Sequence, residues 1–289
     1  MFNDVLKKIG SFLFVLLQYC LPQHFISRCV GKLADCEWFW VKQVMIRLVQ
    51  RSYDIDLSEF EGDSADDFRS FNAFFIRPLL PGVRSMCGEG GVCVSPCDGR
   101  VLSVAPVSSE GRFMIKRHSY RLEALLAGAE RCFSSVSALH SVVIYLAPSN
   151  YHRVHMPLNG RLIAMTYVPG KLFSVNGVTS DSIPDLFARN ERLVCQFETD
   201  WGPMVVVLVG AMIVGSMAVS WEGVVKPVSD LPQVFDYAGR VIELEKGGEL
   251  GYFRMGSTVA VFLGEAAVAE QVAAGRAIRL GEPVFVRQG

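Results

Sequence analysis

Three residues of this chain could together activate a hydroxyl group: the carboxylate of Asp98, the imidazole of His155 and the hydroxyl of Ser257. A serine hydroxyl is a weak nucleophile at neutral pH and needs a base within hydrogen-bond reach. An imidazole serves best when a carboxylate holds its other ring nitrogen. The chain supplies the three types in the order Asp, His, Ser, but any chain of 289 residues offers many such triples. The constellation alone therefore does not establish a nucleophilic serine.

The local sequence around Ser257 favours an attack on the chain itself. Ser257 follows Gly256 and enters the apolar run Val259–Leu263. Glycine lacks a Cβ and tolerates strained dihedrals, so the hydroxyl could approach the Gly256 carbonyl. Gly-Ser-Thr is also a common turn, and Asp98 within Pro-Cys-Asp-Gly is typical of an aspartate that caps its own turn. From the residues alone, both interpretations of each segment stay open.

His152 and His155 are three residues apart, a spacing that would share one face of a helix and could bind a metal ion. They follow the strand-like segment Ser141–Ala147 and lie between Pro148 and Pro157, which favours an extended chain. In an extended chain this spacing places the two rings on opposite faces. We therefore expect different functions for the two histidines, and no metal site.

Composition and charge limit the class of protein. The chain has 51% hydrophobic residues and a formal net charge of −1, which suits one large core or two modest domains and gives no electrostatic argument for nucleic-acid binding. Eight cysteines in 289 residues do not suggest a disulfide scaffold. We expect reduced, mostly buried thiols in a cytoplasmic protein.

Residues 1–53 are predicted to be an amphipathic helical region that binds a membrane. Apolar residues recur at intervals of three and four, Pro22 interrupts the pattern, and residues 1–51 hold seven basic but only three acidic residues. Trp38–Trp40 adds an aromatic cluster that suits a membrane interface. Ordinary packing of the helices on a core is the alternative. No run reaches the ~18 apolar residues that span a bilayer.

The rest of the chain is predicted to form two regions. Residues 54–91 are a connector with a helix near Asp66–Phe75. Residues 92–289 are a β-rich catalytic body with two short helices, at Leu122–Leu126 and Pro184–Arg189. The predicted fold class is α+β. Short Val- and Ile-rich runs separated by turn residues predict the strands of the body. These are Val101–Val107, Ser141–Ala147, Leu162–Val168, Leu193–Phe197, Val205–Val209 and Val259–Leu263.

Several segments, in order along nearly the whole chain, resemble phosphatidylserine decarboxylases of the bacterial membrane-associated type. Three carry chemistry: Ser95–Val101 (SPCDGRV), Tyr151–Pro157 (YHRVHMP) and Met255–Thr258 (MGST). The family usually has leucine where this chain has Met255, a substitution that keeps bulk and apolarity. Five further segments resemble the family: Ser70–Leu79, Tyr120–Gly128, Tyr167–Asn176, Leu186–Arg192 and Val209–Ser216.

The resemblance implies a self-processing reaction. His155, oriented by Asp98, takes the Ser257 proton, and the Ser257 Oγ attacks the Gly256 carbonyl to convert the peptide bond into an ester. Elimination then breaks the chain and leaves a dehydroalanine, which hydrolyses to a pyruvoyl group and ammonia. The products are a β chain (residues 1–256) and an α chain (residues 257–289), which are expected to stay associated; the pair could assemble further as a homo-oligomer.

The resemblance also implies that the pyruvoyl group derived from Ser257 is the cofactor. Its ketone reacts with the amine of phosphatidylserine and draws electrons from the bond to the carboxylate, so that carbon dioxide leaves and phosphatidylethanolamine forms. His152 is the expected acid of that step, because the matching family histidine is associated with decarboxylation. The expected partner is phosphatidylserine in an anionic membrane, at the cytoplasmic face of a bacterial cell membrane, and the Tyr167–Asn176 segment is a candidate substrate-side loop.

Three alternatives to this function remain. A serine hydrolase would use Asp98, His155 and Ser257, although no Gly-x-Ser-x-Gly elbow surrounds the serine. A non-catalytic carrier module would need an exposed lysine at a hairpin tip, and no such site is evident. A pyruvoyl-dependent decarboxylase could instead act on another amino acid or amine lipid, but the apolar, basic N-terminal region favours a lipid.

Overall fold

A computed structural model of the chain describes residues 2–88, 91–212, 216–226, 228–254 and 257–287, and for residues 2–8 and 257 it describes the backbone alone. The chain is mixed helix and sheet, with long helices first and a β-rich body after them, as the sequence predicted. The helices within the described ranges are α1 Phe2–Cys20, α2 Gln23–Ala34, α3 Phe39–Tyr53, α4 Phe71–Phe75, α5 Leu122–Leu126, α6 Gly177–Ser182 and α7 Leu186–Arg189. Two 3-10 turns lie at Ala65–Asp67 and Ala129–Phe133.

The strands begin at Val92, where the sequence changes to short apolar runs separated by turn residues. They are β1 Val92–Val94, β2 Gly99–Pro106, β3 Arg112–Ile115, β4 His118–Arg121, β5 Leu139–Leu146, β6 Arg153–His155, β7 Gly160–Val168, β8 Arg192–Thr199, β9 Gly202–Val209, β10 Met217–Val219, β11 Gly223–Val225, β12 Gln233–Asp236, β13 Glu243–Leu244, β14 Glu249–Phe253, β15 Ser257–Gly264, β16 Ala266–Val268, β17 Ala277–Ile278 and β18 Pro283–Arg287.

One large antiparallel sheet forms the centre of the body, and its strands run in the order β12-β7-β8-β9-β15-β5-β2-β17, with β13 also on β7. Strand β15 lies between β9 and β5, so its backbone is hydrogen-bonded along both edges. A second sheet, in the order β11-β10-β14-β6, carries the histidine segment. The chain passes from this smaller sheet to the central one between Phe253 and Ser257.

Two apolar cores support these sheets. The larger surrounds the central sheet, where β5, β9 and β15 are buried because both faces of the sheet are covered. The smaller core joins α2, α3 and α4 and is rich in phenylalanine: Phe60, Phe68, Phe71, Phe74 and Phe75. Tyr151 and Leu280, which come from the body of the chain, complete this second core. The helical region is thereby packed against the segment that carries the two histidines.

The N-terminal helices leave much of their apolar surface exposed. Pro22 separates α1 from α2, because proline cannot continue the hydrogen-bond ladder of a helix. The exposed set comprises Ile9, Phe12, Leu13, Leu16, Leu17, Phe25, Leu33, Trp38, Phe39, Trp40, Val44 and Leu48. No single helix of the described part is long and apolar enough to cross a bilayer; Ile9–Cys20 and Gln23–Ala34, bent by 88° at their break, pass that test only as a pair.

The predicted elements agree with the structure except in two places. All six predicted strands and the helix Leu122–Leu126 are present, and the second short helix begins at Leu186 rather than Pro184. The helix predicted near Asp66–Phe75 is present but covers only Phe71–Phe75, because Ser70 is extended and caps α4 by accepting from the Ala73 N–H. The division at residues 53 and 91 stays a prediction, although α3 ends and β1 begins at these points.

The cysteines are free thiols, as predicted, but they are not mostly buried. Cys93, Cys97 and Cys195 are buried, and burial raises the pKa of each thiol well above its ordinary value. Cys20 and Cys29 are exposed, because they lie on the helices whose surface the body does not cover. The remaining three are half-buried.

Candidate active site

The backbone brings the turn of Asp98 against the strand of His155. The N–H of His155 donates to the Pro96 carbonyl at 2.8 Å, and the N–H of Val94 donates to the Pro157 carbonyl at 3.1 Å. Strand β6, which holds His155, is extended as the flanking prolines predicted. Two of the three sequence-predicted segments therefore meet in space, although they are more than 50 residues apart.

The imidazole of His155 is held at both nitrogens. Its Nδ1 lies 2.8 Å from the Gly247 carbonyl oxygen, and its Nε2 lies 2.9 Å from the Tyr151 hydroxyl. A carbonyl only accepts, so Nδ1 carries the hydrogen and the neutral ring presents a bare Nε2 that accepts from Tyr151. Burial lowers the pKa of His155, against the opposing hydrogen bond to Gly247. The ring is therefore a neutral base, and its Nε2 can take a proton from another group once the Tyr151 hydroxyl no longer donates to it.

Asp98 does not contact this ring in the structure. Its carboxylate forms a two-point ion pair with Arg84, at 3.2 Å from Nε and 2.6 Å from a terminal nitrogen, and accepts the Leu280 N–H at 2.7 Å. Arg84 also binds Glu59 at 2.8 Å. The Asp98–His155 hydrogen bond of the predicted triad is thus absent from these contacts, and the Gly247 carbonyl holds the position that the carboxylate was expected to take.

His152 is fully buried, and among the described residues neither of its ring nitrogens has a hydrogen-bond partner. Its ring stacks on Phe75 with the centroids 4.0 Å apart. Burial lowers the pKa of His152 to about 3, and the positive charge of Arg77 acts in the same direction. The backbone of Ala147 and Pro148 opposes this shift, but neither carbonyl forms a well-aligned hydrogen bond with the ring. The imidazole is therefore neutral at physiological pH, with one donor and one acceptor available to a ligand.

The predicted cleavage point lies between two anchored positions. On one side the Phe253 N–H donates to the His152 carbonyl at 3.1 Å. On the other side Ser257 begins β15 and pairs with Leu146 of β5. Gly256, with Met255, and the side chain of Ser257 lie outside the described residues, so the distance from the hydroxyl to His155 stays a prediction. The anchors nevertheless place His152 beside the segment that leads to Ser257.

A cavity of about 1110 Å³ lies next to the segment that leads to Ser257, since Arg254 is one of its lining residues. Its walls come from α2, the loop after β7, the β11–β12 region and Arg254, only two residues before Gly256. Six lysines and arginines but only three carboxylates line it: Arg28, Lys32, Lys171, Arg189, Lys226 and Arg254 against Asp35, Glu191 and Asp230. The predicted substrate-side loop contributes Tyr167 to Leu172, which supports that prediction.

Sequence reasoning missed two groups in this cavity. Glu191 is hydrogen-bonded to Tyr167, and burial raises the pKa of its carboxyl above the ordinary value. Arg28 and Lys32 lie along α2 and form no ion pair within the described ranges, so their charge is available to an anion. A lone glutamate carries no spacing pattern, and the basic residues of α2 had been assigned only to a general membrane-binding face. Among the described residues no cluster of three His, Cys, Asp or Glu could hold a metal ion.

Comparison with known proteins identifies the family. The sequence model of a family described as phosphatidylserine decarboxylase matches residues 71–286, which is more than half of the chain. The chain belongs to the phosphatidylserine decarboxylase family. A second model, described as PSD, matches residues 13–54. The resemblance seen in the sequence is therefore confirmed, and it extends to the N-terminal helices as well as the body.

Several curated members of the phosphatidylserine decarboxylase family are similar to this chain over most of both lengths. The phosphatidylserine decarboxylase proenzyme of Pseudomonas aeruginosa strain PAO1 is 44% identical over 275 residues, covering 93% of this chain and 95% of that one. The proenzyme of Pseudomonas fluorescens strain Pf-5 is 44% identical over 275 residues (93% and 96%). That of Pseudomonas entomophila strain L48 is 44% identical over 281 residues (96% and 98%).

The buried, neutral imidazole of His152 predicts acid sensitivity. The unfolded chain protonates this ring near pH 6.5, whereas the folded chain does so only near pH 3. Between these values the unfolded state binds more protons, so the free energy of unfolding falls as pH falls. Both proteins compared carry Ser257→Ala. Between pH 6.5 and about pH 5, the free energy of unfolding of the chain that keeps His152 is expected to fall by about 2 kcal/mol more than that of the chain with His152→Gln.

Urea unfolding at the two pH values measures this difference. His118→Gln, on the partly exposed strand β4, is the control and should keep the steep dependence of the parent chain. If the free energy of unfolding depends equally on pH in the parent chain and in His152→Gln, the pKa of His152 in the folded chain is not lowered, and this prediction is wrong.

Proposed function

We propose that this chain decarboxylates phosphatidylserine to phosphatidylethanolamine, with a pyruvoyl group that it makes from Ser257. The observation that carries the proposal is the position of the basic cavity, whose lining reaches Arg254, two residues before Gly256. The head group of phosphatidylserine holds a phosphate and a carboxylate, both anionic, and an amine. An excess of lysine and arginine favours the two anions, and Glu191 is the candidate partner of the amine.

The self-processing step rests on the neutral imidazole of His155. Its bare Nε2 is the base that would take the Ser257 proton, once the Tyr151 hydroxyl yields that position. The Gly247 carbonyl fixes the tautomer that makes this possible. Asp98 contributes charge from the neighbouring turn and raises the pKa of the ring, in the direction that helps a base. Self-cleavage at Gly256–Ser257 agrees with the description of the relatives as proenzymes.

The family depends in general on a pyruvoyl group, and the surroundings of Ser257 fit such a group. The His152 carbonyl accepts from the N–H of Phe253, four residues before Ser257. The two buried ring nitrogens of His152 have no partner within the described part of the chain. The N–H of this neutral ring would donate to a ketone or a substrate carboxylate next to it, and the other ring nitrogen would accept from an N–H of the ligand. The pyruvoyl ketone supplies an electron sink for the bond to the leaving carboxylate. A substrate carboxylate beside the ring would raise the pKa of His152. The ring could then return a proton to the carbon that loses carbon dioxide, and the stacked Phe75 keeps water away from it.

After cleavage the α chain, residues 257–289, is expected to remain in place. Strand β15 begins that chain and is hydrogen-bonded to β5 along eight residues and to β9 along six. Strands β16 and β18 add a further pairing within the α chain, and β1 and β2 of the β chain bind β18 and β17. Separation would break two full edges of a buried central strand, a large cost for backbone groups without water. Whether the cleaved pair also forms a homo-oligomer stays a prediction.

The exposed apolar residues of α1 to α3 support attachment to the surface of a membrane, and the cytoplasmic face of a bacterial cell membrane is the location that we propose. Phe12 and Phe25, with Trp38 and Trp40, are largely exposed, and large exposed patches of this kind mark interaction surfaces. The full chain is expected to float with anionic vesicles of phosphatidylserine and phosphatidylglycerol. A variant with Phe12, Leu16, Phe25 and Trp40 changed to serine should stay at the bottom of the gradient, and equal flotation of both would contradict this attachment.

The activity is tested with vesicles of carboxyl-labelled phosphatidylserine. The full chain should release labelled carbon dioxide and form an equal amount of phosphatidylethanolamine, and Ser257→Ala should do neither. Free L-serine and phosphatidylcholine vesicles complete the assay. Decarboxylation of free serine as fast as of the lipid would contradict the lipid substrate, and release of fatty acid without carbon dioxide would identify a hydrolase.

A further inference from the structure

A short apolar segment outside the N-terminal helices lies at the mouth of the basic cavity. Ser229 and Asp230 line the cavity, while Val228, Leu231 and Val234 around them are 85%, 72% and 69% exposed. We call residues 228–234 the rim segment. Three large exposed apolar side chains within seven residues are unusual on a protein surface, where such residues normally occur singly.

The rim segment has a defined conformation. The Ser229 hydroxyl donates to the Leu231 carbonyl at 3.1 Å, and the Leu231 N–H returns a hydrogen bond to the same hydroxyl at 3.2 Å. Val234 belongs to the edge strand β12 and pairs with Thr166 of β7. The segment is therefore fixed to the central sheet at one end and turns tightly before it, which holds Leu231 outward.

The rim segment and helix α2 form different walls of the same cavity. Helix α2 contributes His24, Arg28 and Lys32, and Phe25 on the same helix is 60% exposed. The region of the rim segment contributes Lys226 together with Ser229 and Asp230. Each wall thus combines a basic residue inside the cavity with apolar side chains outside it. This pairing of cationic and apolar groups matches the interface of an anionic bilayer.

We propose that the rim segment enters the same bilayer as the N-terminal helices, so that the cavity opens onto the membrane between two apolar walls. The inference rests on the proposed lipid substrate. A phospholipid whose head group occupies the cavity must extend its acyl chains through the mouth. With only α2 in the membrane, the chains would pass a wall exposed to water; with both walls inserted, they stay in an apolar environment throughout.

A photo-crosslinking amino acid in place of Leu231 tests the position of the rim segment directly. Val241 provides a matched control, because it is 81% exposed but lies near Leu162, toward the other end of β7 from the Thr166 that pairs with the rim segment. On phosphatidylserine and phosphatidylglycerol vesicles, position 231 is expected to crosslink to acyl chains at least about tenfold more than position 241, since only a group within the bilayer meets them. Equal, low yields at the two positions on floated protein would overturn the proposal, as would crosslinks from position 231 to a second copy of the chain.

A second measurement uses the triple variant Val228→Ser, Leu231→Ser and Val234→Ser. Its partitioning into the vesicles should fall at least about tenfold, because the transfer of even one exposed leucine side chain from water into the bilayer strengthens binding by at least that factor. Self-cleavage should stay complete by mass spectrometry, and Val241→Ser should behave as the parent chain. Unchanged partitioning of the triple variant would overturn the proposal. If the parent chain floats and decarboxylates the lipid, and the changes in the rim segment alter neither crosslinking nor partitioning, only this inference is refuted. If the parent chain does not float, both the proposed lipid substrate and this inference are refuted.

Discussion

Replacing His155 with alanine is expected to leave the chain uncleaved, whereas His152→Ala is expected to be cleaved and then to decarboxylate at least about a hundredfold more slowly, the usual effect of losing a positioned acid or base. His155 presents a bare Nε2 in a fixed tautomer, which suits the removal of the Ser257 proton. His152 is buried next to Phe253, and neither ring nitrogen has a partner among the residues that the structure describes. The two rings thus have environments suited to different steps.

Intact mass and lipid turnover, measured on the same preparations, separate the two effects. His152→Gln accompanies the alanine variant, because it fills the buried space and shows whether a loss of turnover comes from a cavity. His118→Ala, on the surface strand β4, should cleave and turn over as the parent chain does. Normal cleavage in His155→Ala would refute its assignment as the base, and normal turnover in both His152 variants would refute that of the acid.

Replacing Arg84 with alanine is expected to lower the free energy of unfolding by about 3 kcal/mol, the usual cost of leaving one partner of a buried ion pair alone. The Arg84 side chain is almost entirely buried, and it binds Asp98 and Glu59 at 2.6 and 2.8 Å. Without it the nearly buried carboxylate of Asp98 keeps only the Leu280 N–H. The same change should slow self-cleavage, since the turn that carries Asp98 also holds the His155 backbone.

Urea unfolding in a Ser257→Ala background, where every variant is one chain, measures this cost. Arg161→Ala is the control, because its pair with Glu198 at 2.7 Å is largely exposed and should contribute at most about 1 kcal/mol. Equal losses for Arg84→Ala and Arg161→Ala would show that the Arg84 network contributes no more than a surface ion pair.

The strands and the histidine segment could be predicted because their signals are local. Short, continuous apolar runs rich in Val, separated by turn residues, predicted β5, β9 and β15, and the prolines around His152 and His155 indicated an extended chain. The start of α4 at Phe71 was not predicted, although Ser70 is a good cap. Phe68, Phe71 and Phe75 keep a helical spacing across Ser70, so the apolar pattern does not mark where the helix begins.

The partners of the site could not be predicted, since they come from distant parts of the chain. Arg84 of the connector binds Asp98, and the Gly247 carbonyl binds His155, and neither contact leaves a pattern in the sequence. The cavity needs α2, the β7 loop and Arg254 to converge. Glu191 shows the same limit, because its raised pKa depends on burial beside Tyr167.

Denaturing mass spectrometry of the freshly purified chain, beside Ser257→Ala, tests the central claim that Ser257 becomes the cofactor. Two fragments that divide between Gly256 and Ser257 are expected, with the 257–289 fragment lighter than its simple hydrolysis product by the mass of ammonia, while the variant stays whole. A wild-type chain that remains intact after long incubation, or a 257–289 fragment that retains an ordinary serine at its N-terminus, would contradict the account.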